Sequence, residues 1–254
     1  MTSPAQAPPA LAVRGFTKRY EAFVAVQDLT FQARAGEILG LVGPNGAGKT
    51  STLRSIAGVL PVASGVIAVC GHDLALEEQA AKRRLRWIPD DPQPFEALTV
   101  DEHLEFTAAL YGCANWRNQA DELLARFELS DKRDALGGEL SRGMRQKLAM
   151  CCAWLGSPQL VLLDEPLSGL DPRGIRAAKQ AILELAARGA AVILSSHLLE
   201  LIEALASRLL ILDRGRCVFV GTLDEARAAF PAQQRGSLEE IFFAATGGGS
   251  APQA

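Results

Sequence analysis

The chain has 254 residues, 48% hydrophobic and 22% charged, with a formal net charge of −3, which is enough apolar material for a substantial core in one or two domains. A charge so near neutrality, with only 6% aromatic residues, gives no electrostatic footprint for nucleic acid. Five cysteines, an odd number with no C-x-x-C spacing, and three scattered histidines argue against a disulfide framework and a structural metal, so a reducing compartment is the default expectation.

In chain order, residues 1–10 are rich in Pro and Ala and lack a charged-then-apolar leader pattern. They are expected to be a disordered tail. No apolar run in the chain approaches the ~18 residues of a spanning helix, so the protein is expected to be neither secreted nor self-inserted. Residues 11–71 alternate short strands and turns: Leu29, Phe31 and Ala33 share one face, and turns are expected at 35–36 and 64–65. Residues 37–42 read as a buried strand and 50–57 as a helix. Between them Gly43, Pro44, Asn45, Gly46, Ala47, Gly48, Lys49 and Thr50 fill every position of a phosphate-binding loop.

The glycines let consecutive amides turn inward around phosphate oxygens, and the helix start adds its positive dipole end. Lys49 can reach the terminal phosphates, the Thr50 hydroxyl can ligate magnesium, and Ser51 is a secondary phosphate contact.

From about 80 to 158 the pattern turns helical, with apolar positions at three and four spacing over 100–111 and 118–127. Within that stretch Met144, Leu148, Cys151, Cys152 and Leu155 form a helical stripe. Ser141 and the Gly143 amide stand at the helix N-terminus, where an anion binds well. Residues 160–163 then run apolar into Asp164 and Glu165, two carboxylates at a strand's carboxyl end. Without the phosphate loop they would read equally well as solvated acids; beside it, Asp164 is a magnesium holder and Glu165 the group that orients and deprotonates water. Strands follow at 191–195, 209–212 and 217–220, the last two joined by a hairpin-like turn at 213–216. Residues 247–254 read as a second disordered tail. No internal repeat is visible, so the chain carries one such unit.

Together these stretches resemble the ATP-binding cassette of an ABC transporter over residues 11–246. Leu140, Ser141, Arg142, Gly143 and Met144, followed by Arg145, Gln146 and Lys147, resemble the family's signature. Residues 168–171, ending at Asp171, resemble the D-loop. His197 follows a strand where the family has its switch histidine, and Tyr20 lies where the family stacks an aromatic on adenine. Taken alone, Tyr20 could be a half-buried strand-end tyrosine and His197 a helix cap or surface histidine.

The resemblance implies an α/β fold: a P-loop NTPase (RecA-like) core, an N-terminal antiparallel β subdomain, and a helical subdomain inserted at about 80–158. It also implies ATP hydrolysis with ATP and Mg2+, Glu165 and His197 being catalytic. The signature residues Ser141, Arg142, Gly143 and Met144 would act in trans, on the nucleotide of a second ATPase subunit, either an identical chain or a close paralogue. A separate membrane permease would hold the protein at the cytoplasmic face of the cell membrane.

The chain departs from the family's common pattern in two places. Arg142 and Met144 replace glycine and glutamine in the signature, a variant that looks like the exporter branch. Counting back from residues 98–100 puts the Q-loop position at Asp90 and not at Gln93. Asp90 is then either an additional metal ligand or, the favoured reading, a hinge residue in a loop stiffened by Pro89, Pro92 and Pro94. A soluble ABC-type ATPase acting on ribosomes or DNA is the main alternative, although such proteins usually carry two cassettes or a long coiled-coil insertion. A phosphate-loop kinase or small NTPase would leave residues 140–147 and His197 unexplained.

Overall fold

The computed structural model of the chain describes residues 8–230 and 237–247, so residues 1–7 and 248–254 of the expected tails lie outside it. At 8–10 the expectation of disorder fails. Ala10 is buried, and its carbonyl accepts the Cys70 amide at 3.0 Å.

The chain begins with β1 (Leu11–Tyr20) and β2 (Phe23–Ala33), an antiparallel hairpin, and then enters β3 (Ile38–Val42) and α1 (Lys49–Ile56). Next come β4 (Ser64–Val69) and β5 (His72–Asp73), then α2 (Glu78–Arg84) and β6 (Leu85–Ile88). Three helices follow, α3 (Val100–Tyr111), α4 (Trp116–Arg126) and α5 (Arg142–Trp154). The chain returns through β7 (Leu160–Asp164), α6 (Pro172–Ala187), β8 (Ala191–Ser195), α7 (Leu199–Leu205) and β9 (Arg208–Asp213). It closes with β10 (Arg216–Thr222), α8 (Leu223–Ala229) and α9 (Leu238–Ala245).

Two sheets result. The antiparallel one has the order β2-β1-β4-β5, and the larger one the order β10-β9-β3-β8-β7-β6. In the larger sheet β9, β3, β8, β7 and β6 run parallel, and β10 is antiparallel at its edge.

The apolar runs of the parallel strands follow from burial on both faces. Ile38 and Val42 of β3, Val161 and Leu163 of β7, and Val192 and Leu194 of β8 join one core with α3 to α6. The alternate residues, Leu39 and Leu41, Leu160 and Leu162, and Ile193, join a second core beneath the antiparallel sheet with Leu11, Phe16, Leu29 and Phe31. Gly40 faces α7, where an added Cβ would collide with Ile202 Cγ2, so the helix sits directly on the strand.

Two expectations need correcting. Ser64 and Gly65 are not a turn: they open β4, with Ser64 opposite Thr17 of β1. The Ser-Gly pair has turn-forming residues, but Gly65 instead lets its strand approach the Gly15 backbone, where an added Cβ would stand 2.5 Å from the carbonyl oxygen. The stretch 80–158 is not wholly helical either. Leu85–Ile88 is a strand paired parallel with β7 at the edge of the larger sheet. Four residues are too short to show a period of two after the strongly helical run of α2.

Candidate functional site

β3, β7 and β8 are adjacent and parallel, with Asp164 opposite Ser195 in register. Their carboxyl ends therefore deliver the phosphate loop, the two acids and His197 to one edge of the sheet. A cleft of about 380 Å³ opens there, lined by Tyr20, Phe23, Ala25, residues 45–51, Asp90, Asp164 and Glu165.

The loop is shaped by its glycines where the backbone demands them. Gly48 caps α1 at φ 101° in a left-handed conformation, and an added Cβ there would stand 2.6 Å from the Ala25 carbonyl. Lys49 Nζ donates to the carbonyls of Gly43 at 2.6 Å and Pro44 at 3.1 Å. Burial lowers the Lys49 pKa, while the carboxylates of Glu165 and Asp164 work in the opposite direction. Pro44 and Ala47 close the loop through an amide-to-carbonyl bond of 3.1 Å. Tyr20, half exposed, exchanges a hydrogen bond of 3.3 Å with Ser51 Oγ and carries the Lys18 ammonium 5.3 Å from its ring centroid. It is one of the residues that line the cleft.

Asp164 is buried, and burial raises its carboxyl pKa, with the charges of Glu165 and Asp90 adding to the rise and the Thr50 and Ser195 hydroxyls opposing it. The Asp164 carboxylate and the hydroxyls beside it are hard oxygen donors, and a divalent cation would offset the negative charge that Glu165 and Asp90 add there. No preformed cage of three or more His, Cys, Asp or Glu exists among the described residues. The Asp164 carboxylate with the Thr50 hydroxyl beside it is a donor set that fits magnesium, which is usually held by one or two side chains together with substrate phosphates and water.

Glu165 takes φ 50°, a left-handed value rare for a side-chain-bearing residue. Its amide donates to the Ser195 carbonyl at 2.9 Å. On the side chain, Oε2 accepts from Ser196 Oγ at 3.2 Å and lies 2.8 Å from His197 Nδ1. Both contacts fall on one oxygen. Glu165 is itself one of the residues that line the cleft.

The signature residues lie elsewhere. Ser141 caps α5, its Oγ accepting the Met144 amide at 3.3 Å, and Gly143 packs so closely on the D-loop that a Cβ would stand 2.6 Å from the Gly169 carbonyl. Neither lines the cleft. Arg142 donates to Ser168 Oγ at 2.9 Å, and Met144 is packed partly against the helical core. Asp171 caps α6, accepting the Gly174 amide at 3.1 Å, and pairs with Lys147 at 3.3 Å.

Sequence reasoning missed Phe23, Ala25, Ser195 and Ser196. Phe23 was marked only by a tight hairpin that sets it opposite Tyr20. The two serines stand in plain view before His197 but carry no motif of their own. A larger cavity of about 580 Å³, lined by Gln119, Arg126, Trp154, Glu184 and Arg188, lies between α4 and α6 and is touched by no predicted site residue.

Comparison with known proteins gives a consistent result. A model of the ABC transporter family matches residues 26–168. The ABC-type transporter ATP-binding protein EcsA of Bacillus subtilis is 32% identical over 238 residues, 93% of this chain and 96% of its own. The daunorubicin resistance ATP-binding protein DrrA3 of Streptomyces coeruleorubidus is 35% identical, over 86% of this chain and 70% of its own. A solved ATP-binding subunit of an ABC transporter superposes with a TM-score of 0.89 at 34% identity, covering 93% of this chain and 99% of that one.

Proposed function

The chain belongs to the ABC transporter family as an ATP-binding subunit, an ATPase coupled to transport, and from that premise we propose that it drives a separate membrane permease, in the direction of export, by closing head to tail on a second ATPase subunit around ATP. The observation that carries this reading is the split between its two halves of machinery. The phosphate loop, Asp164 and Glu165 share one cleft, while Ser141 and Gly143 lie outside it. A second subunit supplying that helix N-terminus would complete the phosphate site, since a serine hydroxyl and a free amide there suit an anion.

Within the cleft, the amides of residues 46–51 and Lys49 bind the phosphates, and Tyr20 offers its ring to the adenine. Thr50 and Asp164 are the residues that would hold Mg2+, which supplies charge neutralisation on the phosphate oxygens when bound. Glu165 Oε1 accepts a proton from the attacking water, and His197, 2.8 Å from Oε2, fixes the carboxylate's orientation. Release of phosphate removes the bridge between subunits, so ATP acts as a ligand of the closed dimer.

Permease docking fits a second groove, of about 260 Å³, bounded by Pro89, Pro92, Pro94, Phe95 and Phe106, where Phe95 and Phe106 are exposed. No helix among the described residues is long and apolar enough to cross a membrane, and we place the chain at the cytoplasmic face through that permease. The drug-resistance role named for one relative supports the export direction.

The test is Glu165→Gln, which keeps shape but cannot take the proton. ATP binding should survive, turnover should fall by about 10²- to 10⁴-fold, and size-exclusion chromatography in ATP and magnesium should show a long-lived dimer. Only monomer under those conditions would overturn the sandwich.

A further inference from the structure

Two of the residues that depart from the family's common pattern, Asp90 and Arg142, meet in space. Arg142 Nη2 lies 3.6 Å from Asp90 Oδ1 while also donating to Ser168 Oγ at 2.9 Å. Beside this pair, Arg145 Nη2 lies 3.5 Å from Asp91 Oδ1, and the Gln93 amide donates to the other Asp91 oxygen at 2.6 Å. Two adjacent carboxylates on the loop after β6 thus face two guanidiniums spaced i,i+3 on the first turn of α5. That spacing puts both arginines on one face of the helix.

The pairing answers two electrostatic problems. Arginines in a helix's first turn oppose its positive dipole end, and nearby carboxylates relieve that. Asp90 lines the same cleft as the phosphate loop, where a free carboxylate would repel the phosphates of ATP. A glutamine there would carry no such charge and need no such partner.

We propose that Arg142 is a positioning residue within its own chain: it neutralises Asp90 and holds that carboxylate toward α5, so that the cleft accepts ATP despite the extra acid. Arg142 thereby serves its own subunit's nucleotide site through Asp90, besides any role across the dimer. This rests on the cleft being the ATP site. ATP binding by the wild-type chain tests that function, and the coupling between positions 90 and 142 tests this inference.

The experiment is a double-mutant cycle on the dilute full-length chain without a membrane partner, read as the dissociation constant of a fluorescent ATP analogue with magnesium. Arg142→Leu should weaken binding by about two- to five-fold, the range of a half-exposed ion pair. Arg142→Lys, which keeps the charge, should lose less. Adding Asp90→Asn to Arg142→Leu should restore affinity to that of Asp90→Asn alone. The coupling should fade near 1 M salt, where the screening length falls to about 3 Å. Wild-type affinity in Arg142→Leu, or additive effects that ignore salt, would overturn the proposal and confine Arg142 to the dimer interface.

Discussion

Glu165, proposed above to take the proton of the attacking water, sits on a backbone held at φ 50°, a conformation that costs about 1–3 kcal/mol for a residue with a Cβ. The amide bond to Ser195 and the contacts of its carboxylate with Ser196 and His197 hold it there. Glu165→Ala and Glu165→Gly both remove the carboxylate, but only glycine relaxes the backbone. The glycine variant should therefore be the more stable by about 1 kcal/mol, measured as unfolding free energy in urea, and equal stabilities would mean that the turn stores no strain. Segments with a demanding chemistry stand out in sequence: glycines, a lysine and a threonine at fixed spacing spell a phosphate loop, and two adjacent acids end a buried strand. Asp90 was half legible. Its position could be counted, but its partner Arg142 lies 52 residues away on α5, and no local pattern points there.

Among elements, α3 was legible over 100–111 because its signals are local. Thr99 and Glu102 form a reciprocal capping box, and Gly112 ends the helix in a left-handed conformation. The Thr99 amide and hydroxyl hold the Glu102 carboxyl below its ordinary 4.5. A depressed carboxyl stabilises fully above its unfolded value and loses that contribution as pH falls through the folded one. The melting-temperature difference between wild type and Glu102→Gln should accordingly shrink as pH drops below 4.5, and a constant difference would show that the charge plays no part. β6 was not legible, since its four residues become a strand only through pairing with β7. The seat of α7 on β3 also depends on tertiary contact. Gly40→Ala would press a methyl into Ile202 and should destabilise the chain by about 1–3 kcal/mol, observable as a lower denaturant midpoint; an unchanged midpoint would mean that α7 can shift away freely.

For the molecule as a whole, a sheet buried on both faces carries the phosphate-loop cleft at one edge, and the helical unit presents Ser141 and Gly143 outside that cleft. The α/β class and the cassette's motifs were legible because each motif is a short segment with its own chemistry. The proposed division of these motifs between one subunit's cleft and another's was not written in local pattern and was suggested only by the family resemblance. That division is the central claim, and mixing two inactive variants tests it most directly. Lys49→Ala disables the phosphate loop, and Ser141→Arg blocks the signature. A heterodimer of the two contains one site built from intact halves. Each variant alone should be inactive, and their mixture, with dimer formation verified, should recover partial ATPase activity; a mixture that dimerises, binds ATP at the intact loop and still hydrolyses none would contradict a site that is shared between subunits and able to fire alone.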